Sequence, residues 1–368
     1  MSKKATLTSK VYLLPFVLVT SLFFLWGFAR AILDVLNKHF QNVLDISITQ
    51  SSLIQVSTYL GYFIMAIPAG WFINRQGYRR GVVFGLLLFG IGAFMFIPGA
   101  LAGSFYGYLV ALFVIGCGLV FLETSANPYV TELGDPQTST ARLNFSQSFN
   151  GLGSMTATLA IGQFLFSGDA DSDDIVKPYI ILGFLVLLIA VVFSRVDLPE
   201  IKHKETEEDR MQDTRIMKLF RHHPMFVFGL FSLLAYEVAE ISINSYFINF
   251  VTGQGWMADD TASLVLTCAL GFFMIGRFIG AWIMRRVKAE TMLLICGIGS
   301  VTCMGLVLLN LGRLSMLALI CNYFFEAIMF PTIFSLALRG LGNLTKSASS
   351  LLMMTPIGGC GFLLMGIV

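Results

Sequence analysis

A glutamate stands inside an apolar run at two places, Glu123 and Glu326, and at each a proline follows five positions later, Pro128 and Pro331. A carboxylate at bilayer depth costs about 2.5 to 3.5 kcal/mol on insertion scales, so a chain that keeps one generally uses it. Burial in a low dielectric disfavours the charged form of a carboxylic acid, and such a group takes up a proton and releases it when water arrives. That is the minimum apparatus for coupling a solute to a proton. A membrane potential supplies about 2.3 kcal/mol per charge per 100 mV, enough to concentrate a neutral solute. Asp34, towards the outer part of the first apolar run, is a second candidate beside Glu123. Neutral amides and further carboxylates lie at helical spacing and can line a polar cavity. They are Asn127 one turn beyond Glu123, the pair Gln147 and Asn150, the stripe Glu237, Glu240 and Asn244, and the pair Asn322 and Glu326 with Tyr323 adjacent.

Each of these has a plainer reading. Asp34 is four residues from Arg30 on the same helical face, so the two can form a salt bridge, and a pair facing a wet cavity still exchanges protons. Glu123 has no cation within a turn, and its alternative is a hydrogen bond to a neighbouring helix. Amides such as Gln147 and Asn150 also serve as interhelical glue. Arg277 reads as a structural charge near the inner end of a helix rather than a substrate ligand. The acidic stretch Asp169, Asp171, Asp173 and Asp174 opens like a calcium loop but lacks the central glycine and the closing glutamate, so it reads as a solvated outer loop. No metal site is expected: the six cysteines fall within apolar runs without a C-x-x-C pair. His39 lies at the outer edge of the first run, and His203, His222 and His223 lie in a charged stretch, which leaves no histidine for a relay or a haem.

The elements that must carry these groups are membrane helices. With 56% hydrophobic residues, 12% charged ones and 34 Phe, the composition excludes a soluble globular domain. Runs of roughly 20 apolar residues are long enough to cross a hydrocarbon core of about 30 Å as helices. Spans are expected near 11–36, 52–74, 81–100, 104–132, 143–166, 178–195, 223–251, 261–284, 289–310, 314–338 and 347–368. Eleven is an odd total for a duplicated bundle, and a twelfth helix is expected to be missing from this chain. The lysines and arginines orient the molecule with its N-terminus in the cytoplasm. On that orientation only Lys38, Lys177 and Arg313 fall in outer loops, against the dense clusters on the inner side. Lys3 and Lys4 before an apolar stretch, with Ala29 and Ala31 around Arg30, imitate a cleaved signal, but the stretch is too long for one.

The repeated glutamate and proline point to a duplication, and a second echo supports it. Gly70 with Trp71, Arg75, Gly77, Arg79 and Arg80 follows the second span, and Gly280 with Trp282, Arg285 and Arg286 follows the eighth. The expected organisation is an N-terminal six-helix half at 1–196, a charged cytoplasmic linker at 197–221 and a C-terminal half at 222–368. Related halves about a midplane site imply alternating access. No nucleophile with its base is visible to make the chain an enzyme, and neither the linker nor the N-terminus is long enough for the signalling domain of a sensor.

The loop from Gly70 through Gly77 to Arg80 resembles the signature of the major facilitator superfamily, with Asn74 where aspartate is usual. Leu22 to Gly27, Phe121 to Val130, Arg142 to Asn150, Gly276 to Phe278 and Phe330 to Leu336 narrow the resemblance to its fucose:proton symporter family. It implies an all-α polytopic fold of two six-helix pseudo-repeats. It implies proton-coupled import of L-fucose or a related hexose, with Asp34 and Glu123 as coupling carboxylates and the amides Gln147 and Asn150 at the sugar. Asn127, Glu240, Asn244, Asn322, Glu326 and Phe330 are the further candidates for the sugar site, and Arg30, Gly70, Arg75, Gly77 and Arg277 for structure or gating. Phe330 before the span-ten proline is as in the family's glucose and galactose carriers, which keeps those sugars as an alternative. A facilitative uniporter is another. Glu326 stands where that branch has an amide. The partners expected are a monosaccharide, a proton and the lipid bilayer of a bacterial inner (plasma) membrane. No cofactor, no metal and no nucleic acid are expected, and the chain is read as a monomer.

Overall fold

A computed structural model describes residues 7–44, 46–165, 176–196, 198–199 and 212–361. Their regular structure is helical throughout. The principal helices are α1 (Leu13–Leu44), α2 (Leu53–Gln76), α3 (Tyr78–Phe94), α4 (Phe105–Glu132), α5 (Ser139–Leu165), α6 (Val176–Arg195), α7 (Pro224–Gly253), α8 (Asp259–Ile283), α9 (Ala289–Leu308), α10 (Arg313–Glu326), α11 (Met329–Leu338) and α12 (Thr345–Leu352). In lipid every backbone N–H and C=O must be bonded within the protein, and a helix achieves this inside one segment. Large apolar side chains such as Phe184, Phe228, Val301 and Leu308 are accordingly exposed.

Nine helical segments among the described residues are long and apolar enough to cross a membrane, and they correspond to nine of the expected spans. The fifth expected span also forms a helix, α5, yet falls outside that set. Thr140, Asn144, Ser146, Gln147 and Ser148 make it polar, and all of them are buried. The last expected span begins with the short α12 and continues as a 3-10 helix, Thr355–Gly361. Its residues 362–368 lie outside the described ones, as do the acidic loop at 169–174 and most of the charged linker. The far end of that linker, Gln212–His222, is an unanticipated amphipathic helix.

Two compact units emerge. The first comprises Met1–Lys38, Val130–Gly168 and Ile243–Leu336, the second His39–Tyr129, Asp169–Ser242 and Ala337–Val368. In the first, α5 packs along α8, and α10 packs on both α8 and α9. Glycines let α1 and α5 touch: a Cβ on Gly27 would lie 2.1 Å from the Asn150 carbonyl oxygen, and one on Gly153 2.1 Å from that of Phe24. Close backbone approach through small residues is the usual packing device in lipid, where burying apolar surface drives nothing. In the second unit α3 packs along α6, and α2 packs on α3 and α12. There Gly116 brings α4 onto α2, an added Cβ lying 2.1 Å from the Thr58 carbonyl oxygen.

Both copies of the tryptophan and arginine echo adopt one local geometry. The Arg75 guanidinium lies 4.2 Å over the Trp71 ring, and that of Arg286 5.4 Å over Trp282. Four residues is one helical turn, so each arginine covers the exposed tryptophan one turn before it, a pairing suited to a membrane boundary.

Candidate functional site

Proline has no N–H, so each proline inside a helix orphans the carbonyl four residues earlier. For Pro128 that is the Thr124 oxygen, and for Pro331 the Ala327 oxygen. Each is met by a side chain from another helix. Ser349 Oγ on α12 donates to the Thr124 oxygen at 3.3 Å, and Arg277 Nε on α8 donates to the Ala327 oxygen at 2.8 Å. The local consequences differ. The α4 helix runs through Pro128 unbroken, whereas α10 ends at Glu326 and α11 restarts at Met329, placing Pro331 in a first turn.

In the second unit, Glu123 on α4 is 3% exposed, and the Tyr62 hydroxyl on α2 donates to its Oε1 at 2.7 Å. Tyr62 was not singled out in the sequence, where its only signal is a tyrosine in an apolar run three residues after Tyr59. Asn127, one turn on, is fully buried, with Nδ2 3.7 Å from the Met353 sulfur. Gly70 faces α12, where an added Cβ would lie 2.5 Å from Ser350 Oγ, and Asn74 Nδ2 donates to Ser347 Oγ at 3.2 Å. Gly77 ends α2 with φ 85°, a left-handed conformation that favours glycine, and its N–H bonds the Ile73 oxygen at 2.8 Å. Glu240 is buried in this unit's part of α7.

The first unit holds the other candidates. Arg277 is 3% exposed and its donors converge on α5. Nη1 bonds the Gln147 backbone oxygen at 2.7 Å, Gln147 Oε1 at 3.1 Å and Asn150 Oδ1 at 3.0 Å, and the guanidinium carbon lies 4.2 Å over the Phe273 ring. Ser300 Oγ on α9 donates to Asn322 Oδ1 on α10 at 2.6 Å, and Asn322 Nδ2 donates to Glu326 Oε2 at 2.8 Å. Both Asn322 and Glu326 are buried, as is Phe330, which stacks on Phe334 at 5.9 Å. Asn244 Oδ1 is a buried acceptor with no hydrogen-bond partner among the described residues. Arg30 is partly buried in α1. The Asp34 side chain lies outside the described residues, and so does its pairing with Arg30.

Sequence reading also missed the polar stitching of α5 to α11. Thr140 Oγ1 and Ser335 Oγ lie 2.8 Å apart, and Asn144 Nδ2 donates to Thr332 Oγ1 at 3.3 Å. Hydroxyls spaced along an apolar helix give no sign of which partner they will meet. Chemically, the two units offer a buried carboxyl held by a neutral phenol and a set of amides ordered by a guanidinium. Those are groups for carrying a proton and holding a neutral, hydroxylated solute. Among the described residues no group of acidic, histidine and cysteine side chains gathers to hold a metal.

Comparison with known proteins agrees. Residues 19–362 match the Major Facilitator Superfamily. The chain is 34% identical to the L-fucose-proton symporter of Haemophilus influenzae, over 96% of this chain and 88% of that protein. It is 33% identical to the glucose/galactose transporter of Brucella abortus, over 96% and 87%. A crystal structure of the transporter FucP in the outward conformation is similar with a TM-score of 0.83 at 32% identity, covering 97% of this chain and 92% of that one.

Proposed function

The chain belongs to the Major Facilitator Superfamily, and on that premise we propose that it imports a monosaccharide together with a proton by alternating access. The observation that carries this reading is Glu123, a carboxyl buried in a membrane helix and held by the Tyr62 hydroxyl. A neutral donor supports the carboxyl in either protonation state without locking it charged, as a proton carrier requires. The relatives named for proton symport and for sugar transport support the same reading. Asp34 and Glu123 are the coupling carboxylates. Gln147, Asn150 and Asn127, with Glu240, Asn244, Asn322, Glu326 and Phe330, shape the sugar site. The family is one of transporters, not enzymes.

L-fucose or a related hexose is the substrate we favour. Glucose and galactose form the second reading, because a transporter of those sugars is as similar to this chain as a fucose symporter is. The protein is multi-pass, and we place it in a bacterial inner membrane as a monomer, with its N-terminus in the cytoplasm.

The test uses the full chain in proteoliposomes. Adding the substrate sugar outside is expected to alkalinise the outer medium. With one proton per sugar, a potential of 100 mV drives about 50-fold accumulation at about 2.3 kcal/mol. Glu123→Gln is expected to abolish uphill uptake while sugar counterflow persists. Proton-driven accumulation that survives this substitution removes Glu123 from the coupling role.

A further inference from the structure

Arginine carries five N–H donors and no acceptor. The amide atoms of Gln147 and Asn150 that face Arg277 are therefore oxygens, and an asparagine or glutamine cannot turn its NH2 toward a guanidinium without repulsion. Both side chains are pinned in that sense at once, at 3.1 and 3.0 Å. The guanidinium is itself immobilised. Its Nε is committed to the Ala327 carbonyl that Pro331 leaves without a helical partner, its Nη1 also bonds the Gln147 backbone oxygen, and its plane lies against Phe273. Asn150 is only partly buried, and with its oxygen on Arg277 the NH2 is the amide group turned away from the guanidinium.

We propose that Arg277 is a positioning residue that locks both amide oxygens toward itself, so that the solute site meets the NH2 of Asn150 as an N–H donor. The inference rests on the sugar-transport reading above and adds the polarity of the contact. The substrate must present an acceptor oxygen there, and a donor-only group in its place is rejected. The break between α10 and α11, which precedes Pro331, is thereby part of the selectivity apparatus, because it supplies the Ala327 carbonyl that anchors Arg277.

The test is binding of L-fucose, D-galactose and D-glucose to the purified full chain, followed for the tightest sugar with analogues changed one hydroxyl at a time to fluorine, hydrogen or amine. Fluorine keeps a weak acceptor, hydrogen keeps nothing and a protonated amine only donates. At one position the wild type is expected to bind the amine at least tenfold more weakly than the parent sugar, with the fluoro analogue tighter than the deoxy one. Asn150→Asp keeps acceptors facing Arg277 but loses the NH2, so it is expected to retain thermal stability while sugar affinity falls at least tenfold. Arg277→Lys, which cannot span both amides and the carbonyl, is expected to compress the fluoro-to-deoxy ratio toward one. That ratio is taken within a single protein and does not depend on the folded fraction. If Arg277→Lys does not fold, Asn150→Asp decides alone. Should the wild type bind a sugar and Asn150→Asp bind it within twofold, the orientation is overturned and the transport reading stands. Should the wild type bind none of the three sugars, both fall.

Discussion

In the first unit, Arg142 illustrates what a buried charge does in a structural role. Fully buried, it donates to the carbonyls of Leu7, Val130, Thr131 and Asp135 and to the Thr138 hydroxyl. Two of those carbonyls belong to the last turn of α4, which has no helical partner for them, so the arginine caps that helix. Arg142→Ala leaves several buried acceptors unsatisfied at about 1 kcal/mol or more each, and a loss of about 3 to 5 kcal/mol is expected. Arg142→Lys keeps the charge without the fork and should fall between, a ranking that thermal unfolding in detergent will read. At Glu123 a neutral phenol, that of Tyr62, donates to a buried carboxyl. A carboxylate in an apolar run is visible in sequence because it violates the local pattern. Tyr62 and Ser349 violate nothing, which is why neither stood out.

At the scale of elements, helices came directly from the apolar runs, while the way two helices touch did not. Gly153 and Gly305 look alike in sequence, each a glycine within a helix. At Gly153 an added methyl meets the Phe24 carbonyl oxygen at 2.1 Å, a backbone atom that cannot turn aside, whereas at Gly305 nothing lies within 4 Å. Gly153→Ala is expected to force α1 from α5 and destabilise by about 1 to 3 kcal/mol. Gly305→Ala is expected to be neutral or to stabilise by up to about 1 kcal/mol. Equal unfolding temperatures for the two variants would contradict this assignment of the α1 and α5 contact. The same distinction explains α5. Its hydropathy is low for a membrane span because its polar face is bonded to other helices through Thr20, Arg277 and Thr332 rather than exposed to lipid.

For the whole molecule, the duplication appears twice in geometry. Arginine covers tryptophan in the last turns of α2 and just past the end of α8, and a side chain from another helix meets the carbonyl vacated by each proline. The orientation we propose predicts that Arg313→Cys is labelled by a membrane-impermeant maleimide from outside intact cells. Arg286→Cys should be labelled only after the membrane is opened. Cys268 and Cys321 are exposed, but they lie within α8 and α10, where a lipid-facing thiol is screened from that reagent. The reverse labelling would invert the topology. Hydrophobicity, loop charge and a repeated motif are sums over neighbouring residues, so the sequence alone determined that this is a polytopic helical protein with related halves and buried carboxyls. Which donor reaches Glu123, which carbonyl Arg277 fills and which way the α5 amides point are decided by residues far apart in the chain, and only the tertiary structure brings them within hydrogen-bond distance.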